Sequence, residues 1–317
     1  MTDSPTEQER TAFVFPGQGT QYVGMGKALY DASVAAQHIF HQADEVLGFQ
    51  LSKLCFEGPE DELQDTVNAQ PAVLTVSVAC LAALHEKWVE LGRDLKPLFV
   101  AGHSLGEYTA LVAADVLDFA DALLLVRERG RLMKESGDYQ PGGMAAVIGL
   151  GQDELQEICD EAGQAGIIVI ANSNSPEQTV ISGEREALDR AIELARARGA
   201  HSVVPLRISI ASHSPLMQKA ALQLAELVAH IRFRDPSMPV VANIQGQILT
   251  TAEEIRRELA DQICRPVEWT RSIREMVENG TDTFLEIGPG QVLSRLIKRI
   301  NHDVQTHSLN EKQIAKL

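Results

Sequence analysis

The sequence predicts an α/β fold in which a mainly parallel sheet forms one large domain and a small βαββαβ unit is inserted into it. Two observations support this prediction. Short apolar runs alternate with helical segments along most of the 317 residues, and this alternation is typical of a parallel sheet with helices on both faces. Between residues 143 and 209 the elements follow one another more closely and their order changes. We therefore expect a large domain at 1–140 and 210–317 and a small domain at 141–209.

The large domain is predicted to begin with a strand at 11–15, which runs into Pro16 and a glycine-rich loop. A helix is expected to begin near Tyr22. The next helix, at 71–91, carries apolar residues around most of its circumference and stops at Gly92. The other elements predicted for this domain are a strand at 98–101, helices at 107–116, 121–133 and 214–230, a strand at 239–243, a helix at 252–263, a strand at 284–287 and a helix at 292–300.

The small domain is predicted from strands at 145–150, 167–171, 179–182 and 202–208 and from helices at 153–162 and 186–198. Their order is the split βαβ arrangement of ferredoxin-like domains. Pro205 has no N–H to donate to a neighbouring strand, so the last strand is expected to be bent or to lie at an edge of its sheet. Residues 140–143, which include a proline and two glycines, are predicted to form the linker into this domain.

The composition is that of a soluble globular protein, with 44% hydrophobic and 23% charged residues. A formal net charge of −16 repels nucleic acid and anionic lipid at long range, and an acidic protein partner would need a local basic patch. No apolar run reaches the roughly 18 residues that a bilayer requires. Residues 1–10 lack the basic start and apolar stretch of a secretory signal. We expect a cytoplasmic protein that binds neither nucleic acid nor membranes.

The four cysteines, Cys55, Cys80, Cys159 and Cys264, lie far apart and show no CxxC spacing. This spacing indicates neither a zinc site nor a disulfide framework. We expect free, mostly buried thiols and no metal site.

A candidate nucleophile, Ser104, lies in the pentapeptide GHSLG at 102–106. This segment fits the G-x-S-x-G pattern of the nucleophile elbow, whose sharp turn needs glycine on both sides of the serine. It also falls between a predicted strand and a predicted helix, the setting that an elbow requires. A glycine-rich surface turn is the alternative.

A serine nucleophile needs a histidine base within hydrogen-bond reach. His103 is adjacent to Ser104, but on an elbow its side chain is expected to point away from the pocket. His213 follows a strand of the small domain and precedes a helix, where loops commonly form active sites. His213 is therefore the favoured base, although an ordinary loop histidine would show the same pattern.

An acyl-transfer site also needs backbone N–H donors for the oxyanion. The amide of Leu105 begins the helix after the elbow, and the amide of Gln18 lies in a loop whose flanking glycines allow close approach. A phosphate-binding turn or an ordinary strand exit is the alternative for this loop. The dinucleotide fingerprint fails, because its third glycine would be at the position of Tyr22, and no P-loop Lys-Ser or Lys-Thr pair follows.

Arg129 lies on the apolar stripe of its predicted helix, together with Ala122, Val126 and Met133. A guanidinium on the inner face of a helix needs an anionic partner, because an unpaired buried charge is costly. The partner is either a protein carboxylate or the carboxylate of a substrate, which arginine binds through a bidentate fork.

Six motifs together resemble the malonyl-CoA:acyl carrier protein transacylases of fatty-acid and polyketide synthesis. They are FPGQGTQ at 15–21, GHSLGEY at 102–108, RERGRLM at 127–133, ANSNSPEQTVISG at 171–183, SHSPLM at 212–217 and EIGPGQVL at 286–293. The resemblance spans nearly the whole chain. It implies a hydrolase-like α/β domain with a ferredoxin-like insert.

The resemblance also implies a ping-pong mechanism, in which Ser104 takes the acyl group from malonyl-CoA and passes it to the phosphopantetheine thiol of an acyl carrier protein. His213 becomes the general base, Arg129 the clamp on the malonyl carboxylate, and Gln18 and Leu105 the oxyanion donors. No metal or redox cofactor is required. A hydrolase would use the same serine and histidine but would have no use for Arg129. A non-catalytic docking subunit is disfavoured because nucleophile and base are both present.

Four further residues match family positions. The main-chain carbonyl of Gln262 is expected to orient the base histidine, in the place of a triad carboxylate. Asn172 and Asn174 match positions near the cleft between the domains. Ser212 precedes the base histidine, at a position that in related modular synthases is phenylalanine with malonyl and serine with methylmalonyl. Since discrete malonyl enzymes also carry serine there, the choice between malonyl and a branched extender stays open.

Overall fold

The structure is a computed structural model that describes residues 10–92, 96–206 and 208–316. Residues 1–9, on which the prediction of no secretory signal largely rests, lie outside these ranges. The described strands are β1 (Thr11–Phe15), β2 (Phe99–Gly102), β3 (Gly142–Ile148), β4 (Ile168–Ser175), β5 (Gln178–Glu184), β6 (Ser202–Pro205), β7 (Val240–Val241), β8 (Ile248–Leu249), β9 (Thr283–Ile287) and β10 (Gln305–Leu309).

The described helices alternate with these strands along most of the chain. They are α1 (Lys27–Ala32), α2 (Val34–Leu47), α3 (Leu51–Glu57), α4 (Glu60–Gln64), α5 (Thr66–Glu90), α6 (Gly106–Ala113), α7 (Phe119–Tyr139), α8 (Gln152–Ala162), α9 (Arg185–Ala197), α10 (Gln218–His230), α11 (Ala252–Asp261), α12 (Trp269–Glu278), α13 (Val292–Ile300) and α14 (Glu311–Ile314).

The larger sheet has the strand order β10-β9-β1-β2-β7-β8. All neighbouring strands are parallel except β8, which runs antiparallel to β7. The central strand β1 is buried along its whole length, and its side chains alternate between two cores. Phe13 and Phe15 pack in the core that includes α5 and α7, whereas Ala12 and Val14 pack in the core that includes α12 and α13. The prediction of a mainly parallel sheet covered on both faces is confirmed.

The second sheet is antiparallel, with the order β4-β5-β3-β6. Helices α8 and α9 pack on it and share an apolar core with its strands. β6 lies at the edge of this sheet and ends at Pro205, as predicted from the missing N–H of proline. The predicted linker is partly wrong, because Gly142 and Gly143 already belong to β3 and pair with β5.

Helix boundaries depart from the sequence prediction at two places. The chain does not become helical near Tyr22; the first helix begins at Lys27, because Gly24 and Gly26 adopt the left-handed backbone conformation. Helix α5 begins at Thr66, five residues before the predicted start, and includes Pro71. By length and composition α5 could cross a membrane, contrary to the sequence prediction, with a mean hydropathy of 1.6 over an 18-residue window. Since 78% of that window is buried inside the protein, α5 has the surroundings of a core helix.

Candidate active site

Ser104 lies in a strained turn between β2 and α6. Its φ of 51° falls in the left-handed region, which residues with a side chain rarely adopt. The flanking glycines are required sterically, since a Cβ on Gly102 would lie 1.9 Å from the carbonyl carbon of Gly106. A Cβ on Gly106 would lie 2.1 Å from the carbonyl oxygen of Phe15 in β1. The turn therefore has the geometry of a nucleophile elbow, with the serine at its tip.

A side chain outside the elbow holds this turn in place. Asn243, which follows β7, accepts a hydrogen bond from Ser104 N to its Oδ1 at 2.7 Å. Its Nδ2 donates to the carbonyl oxygen of Gly102, also at 2.7 Å. Asn243 thus binds the backbone on both sides of His103 and fixes the strained conformation from the neighbouring strand.

Ser104 and His213 form a hydrogen-bonded pair. The Ser104 hydroxyl donates to His213 Nε2 at 2.8 Å, and His213 Nδ1 donates to the main-chain oxygens of Gln262 at 2.9 Å and Arg265 at 3.1 Å. These partners select the tautomer with the proton on Nδ1, which leaves Nε2 free to accept. Burial and, to a smaller extent, the charge of Arg129 together lower the pKa of His213 to about 3. The imidazole is therefore neutral at physiological pH.

Arg129 is 1% exposed and reaches the same point from α7. Its Nη2 donates to Ser104 Oγ and to the side-chain oxygen of Gln262, each at 3.0 Å. Its Nη1 donates to Gln70 Oε1 at 2.8 Å, and its Nε has no partner among the described residues. Within the described ranges no carboxylate lies within 4.0 Å of the guanidinium. The structural ion pair considered from the sequence is therefore absent there, and the charge is held by neutral oxygens.

The two predicted oxyanion donors lie beside the nucleophile. Leu105 is the N-cap of α6, and its amide donates no hydrogen bond to any other described residue. The same holds for the amide of Gln18, whose side chain is anchored by Thr66 Oγ1 at 2.8 Å. The loop that carries Gln18 is tied to the elbow by His103 N, which donates to Phe15 O at 3.1 Å. Both amides are available to a ligand in this part of the site.

These residues open onto a cavity of about 440 Å³. All of the predicted site residues except Leu105 and Gln262 are among the residues that line it, including Asn172, Asn174 and Ser212. The opposite wall is apolar and comes from the antiparallel sheet, the segment that follows it, and α13: Met144, Ala146, Val180, Leu206, Ile208, Val292, Leu293 and Leu296. The cavity therefore combines an end that carries Ser104, His213 and the charge of Arg129 with an apolar wall.

Comparison with known proteins decides the family. Residues 12–313 match the acyl transferase domain. The chain is 43% identical to the malonyl CoA-acyl carrier protein transacylase of Bacillus subtilis over 97% of this chain and 96% of that protein, and 43% identical to the Escherichia coli K12 enzyme over 95% and 96%. The chain belongs to the malonyl CoA-acyl carrier protein transacylase family.

Solved structures of the transacylase family agree with this assignment. The malonyl CoA-acyl carrier protein transacylase of Coxiella burnetii superimposes with a TM-score of 0.92 at 39% identity, covering 99% of this chain and 98% of that one. A malonyl-transacylase solved in complex with a type II PKS acyl-carrier protein also gives a TM-score of 0.92, at 42% identity over 97% and 98% of the two chains. The resemblance stated from the six motifs is confirmed.

His103 departs from the expectation that its side chain points away from the pocket, because it lines the cavity. It still makes no hydrogen bond with Ser104 Oγ among the described contacts; its Nε2 pairs with Asn174 Oδ1 at 2.8 Å, and its ring packs edge-on against Trp269. Burial lowers the pKa of His103. His103 thus connects the elbow to β4, and the geometry leaves His213 as the histidine bonded to the serine.

Three residues of the site were missed from the sequence. Asn243 had a detectable signal, since it ends a predicted strand beside β2, where the carboxyl ends of parallel strands meet. Gln70 and Glu107 had none, because they contribute through hydrogen bonds to Arg129 and Gln262, which lie far away in the chain. Gln262 was selected for its carbonyl oxygen alone, whereas its side chain also contacts Ser104 O.

The four cysteines are free and buried, as expected from their spacing. In the part of the chain that the structure describes, no group of three or more His, Cys, Asp and Glu side chains is placed to hold a metal ion.

Proposed function

We propose that this protein transfers a malonyl group from coenzyme A to the phosphopantetheine thiol of an acyl carrier protein through an acyl-serine intermediate. The observation that carries the proposal is the position of Arg129. Its buried guanidinium lies 3.0 Å from Ser104 Oγ and has neutral oxygens as its described partners. A charge held in this way is suited to a substrate carboxylate next to the reacting carbonyl, as in a malonyl thioester.

In the first half-reaction, Ser104 Oγ attacks the thioester carbonyl carbon while its proton passes to His213 Nε2. The new C–O bond places a negative charge on the carbonyl oxygen, which the amides of Leu105 and Gln18 stabilise. The C–S bond then breaks, and the coenzyme A sulfur leaves as a thiol with the proton from His213. The carbonyl of Gln262 keeps the imidazole oriented while it is charged.

In the second half-reaction the same atoms act in reverse. The thiol of the carrier protein loses its proton to His213 and attacks the ester carbonyl of the malonyl-serine. Collapse of the tetrahedral intermediate returns the proton to Ser104 Oγ and releases the malonyl thioester. Every proton and bond in this scheme is supplied by malonyl-CoA, the carrier-protein thiol and the side chains of the site, so the scheme uses no metal or redox cofactor.

Asn172, Asn174 and Ser212 are assigned to substrate binding because they are buried and line the cavity. The strand order β4-β5-β3-β6 with helices α8 and α9 supports our assignment of the second sheet as a ferredoxin-like unit inserted into a hydrolase-like domain. The domain limits at residues 140 and 210 and the cytoplasmic location remain predictions.

The docking surface for the carrier protein is proposed on the outer side of α13. The inner side of this helix lines the cavity through Val292 and Leu293, whereas Arg295, Lys298 and Arg299 are exposed. Acyl carrier proteins are acidic, and this chain has a net charge of −16. A local basic patch beside the cavity mouth is therefore needed to bring the two proteins together.

The proposal is tested by intact mass after incubation with malonyl-CoA, methylmalonyl-CoA and acetyl-CoA, followed by addition of holo acyl carrier protein. We expect a malonyl adduct that disappears when the carrier protein gains the same mass. Absence of any adduct would refute the acyl-serine mechanism. Hydrolysis of the adduct without a matching mass increase of the carrier protein would indicate a hydrolase. A larger methylmalonyl adduct would assign the branched extender and leave the mechanism intact.

A further inference from the structure

Glu107 is a buried carboxyl group that the proposed mechanism does not use. It lies in the first turn of α6, three residues after the nucleophile, and is 1% exposed. No Lys or Arg nitrogen among the described residues lies within 4.0 Å of its carboxylate oxygens. Burying a carboxyl group in such a position costs free energy that a neutral side chain would avoid. A contribution that depends on its carboxyl oxygens is therefore expected.

The stronger of its two hydrogen bonds goes to Gln262. Gln262 Nε2 donates to Glu107 Oε2 at 2.6 Å, and Asn243 N donates to Oε1 at 3.3 Å. The second hydrogen of Gln262 Nε2 goes to Ser104 O at 2.8 Å. Both N–H groups of this amide therefore face oxygen acceptors, which fixes the opposite end of the amide as its oxygen.

The oxygen of that amide faces Arg129 Nη2 at 3.0 Å. If the amide were turned over, its NH₂ group would face the guanidinium, and two donors would oppose each other. Glu107 Oε2 and Ser104 O therefore orient the Gln262 amide so that its oxygen, an acceptor, faces Arg129. The Glu107 carboxyl group lies on the far side of Gln262 and does not occupy the N–H groups that a substrate carboxylate would use. Burial, together with the nearby Glu258, raises the pKa of Glu107 well above its usual value, so its influence on Arg129 is carried by the hydrogen bonds of Gln262.

We propose that Glu107 is a positioning residue for acyl selection, which acts through the side-chain amide of Gln262 to hold Arg129 oriented for a substrate carboxylate. This inference rests on the proposed function, in which Arg129 binds the malonyl carboxylate. It predicts that Glu107 affects a carboxylate-bearing acyl group more than an acyl group without one.

Glu258 provides a matched control. It is a second buried carboxyl group from α11, and Ile244 N donates to its Oε1 at 2.8 Å. Glu107 and Glu258 therefore bind consecutive amides of the segment after β7, but Glu258 has no described contact with Gln262 or Arg129. Replacement of Glu258 removes a buried framework carboxyl and lowers the pKa of Glu107, but leaves the hydrogen bonds between Glu107, Gln262 and Arg129 in place.

The experiment compares kcat/KM for malonyl-CoA and acetyl-CoA, with circular dichroism and thermal unfolding of each variant. Glu107→Gln has one acceptor oxygen in place of two and cannot accept from both Gln262 Nε2 and Asn243 N, so the malonyl-to-acetyl ratio should fall about tenfold, the upper value for one hydrogen bond. Glu107→Ala should lower the ratio further. Glu258→Gln should leave it unchanged within about threefold, whatever its effect on stability. In an Arg129→Ala background, Glu107→Gln should change the ratio no further.

An equal change of the ratio in Glu107→Gln and Glu258→Gln, or no change in either, would overturn the inference. So would a further fall of the ratio in the Arg129→Ala background. If Glu107→Gln does not fold, Glu107→Asp keeps the carboxyl group and withdraws it from Gln262 by one methylene, and the ratio must again fall. If neither variant folds, Glu107 serves the fold and the inference is wrong. Failure of the wild-type protein to accept malonyl-CoA would instead refute the proposed function.

Discussion

Replacement of Arg129 by alanine is expected to change which acyl group the enzyme accepts. Malonyl-CoA carries a free carboxylate that pairs with the guanidinium, whereas acetyl-CoA does not. Loss of one partner of a buried charge pair costs about 3–5 kcal/mol. Because about 1.36 kcal/mol corresponds to a factor of ten in rate, kcat/KM for malonyl-CoA should fall by roughly a hundredfold to several thousandfold.

The kcat/KM for acetyl-CoA should fall much less in Arg129→Ala. Arg129 Nη2 donates to Ser104 Oγ at 3.0 Å, so the variant removes one hydrogen bond from the nucleophile whichever thioester is bound. A single hydrogen bond contributes about 0.5–1.5 kcal/mol, which corresponds to roughly a twofold to tenfold loss. The ratio of the two kcat/KM values should therefore fall by at least about tenfold, even when the largest acetyl loss is set against the smallest malonyl loss.

The assay measures acyl-enzyme formation with both thioesters, with circular dichroism to exclude misfolding. Arg131→Ala is the matched control, because Arg131 lies on the same helix but is exposed and pairs with Glu128 and Glu135. Arg129→Lys keeps the charge and loses the fork, so it should fall between wild type and alanine for malonyl-CoA. Equal losses on the two thioesters in Arg129→Ala would refute the reasoning, since they would show that Arg129 supports the nucleophile and not the substrate carboxylate.

Four other outcomes follow from the site. Ser104→Ala should remain folded and gain no acyl adduct by intact mass, and His213→Ala should slow acylation by about a hundredfold or more; labelling of Ser104→Ala at the wild-type rate would contradict the first. The Arg295→Glu, Arg299→Glu double variant should raise the KM for the carrier protein and leave acylation by malonyl-CoA unchanged; Lys298 is avoided because its Nζ binds two main-chain oxygens at 3.2 and 2.6 Å. Folding lowers the pKa of the His213 imidazole from 6.5 to about 3. As the pH falls below 6.5, this imidazole takes up a proton in the unfolded state and stays neutral in the folded state, so the free energy of unfolding decreases. When the pH is lowered from 7 to 5, the free energy of unfolding measured in urea should decrease by about 2 kcal/mol more for wild type than for His213→Gln. Equal decreases would contradict a buried neutral imidazole.

The sequence predicted the elements whose signal is local. β1 and α13 have the predicted bounds, because an apolar run ending at Pro16 and an amphipathic run after Gly290 depend on neighbouring residues only. The pairing of Ser104 with His213 was also accessible, since both belong to short motifs although 109 positions separate them. By contrast, β10 was missed because its side chains are half-exposed and largely polar, so it lacks the apolar alternation of a buried strand.

The supporting hydrogen bonds of the site were not accessible from sequence. Gln262 contacts Glu107, Arg129 and Ser104 through its side chain, and each partner lies more than 130 positions away. Such contacts produce no periodic pattern and no fixed residue spacing in the sequence, because they depend on how strands and helices are arranged in space. A glutamine on a helix end is equally compatible with solvent exposure. Only the assembled fold shows that it is fully buried.

The absence of a triad carboxylate beside His213 follows from the position of Arg129. Both side chains contact Ser104 Oγ, at 2.8 and 3.0 Å. A carboxylate bonded to His213 Nδ1 would lie close enough to attract the guanidinium and to repel a malonyl carboxylate, which would weaken substrate binding. The main-chain oxygens of Gln262 and Arg265 orient the imidazole without carrying a charge. An enzyme that selects an anionic acyl group next to its nucleophile therefore gains by orienting its base with carbonyl groups, and Glu107, the carboxyl group bonded to the Gln262 side chain, is kept one amide away from Arg129.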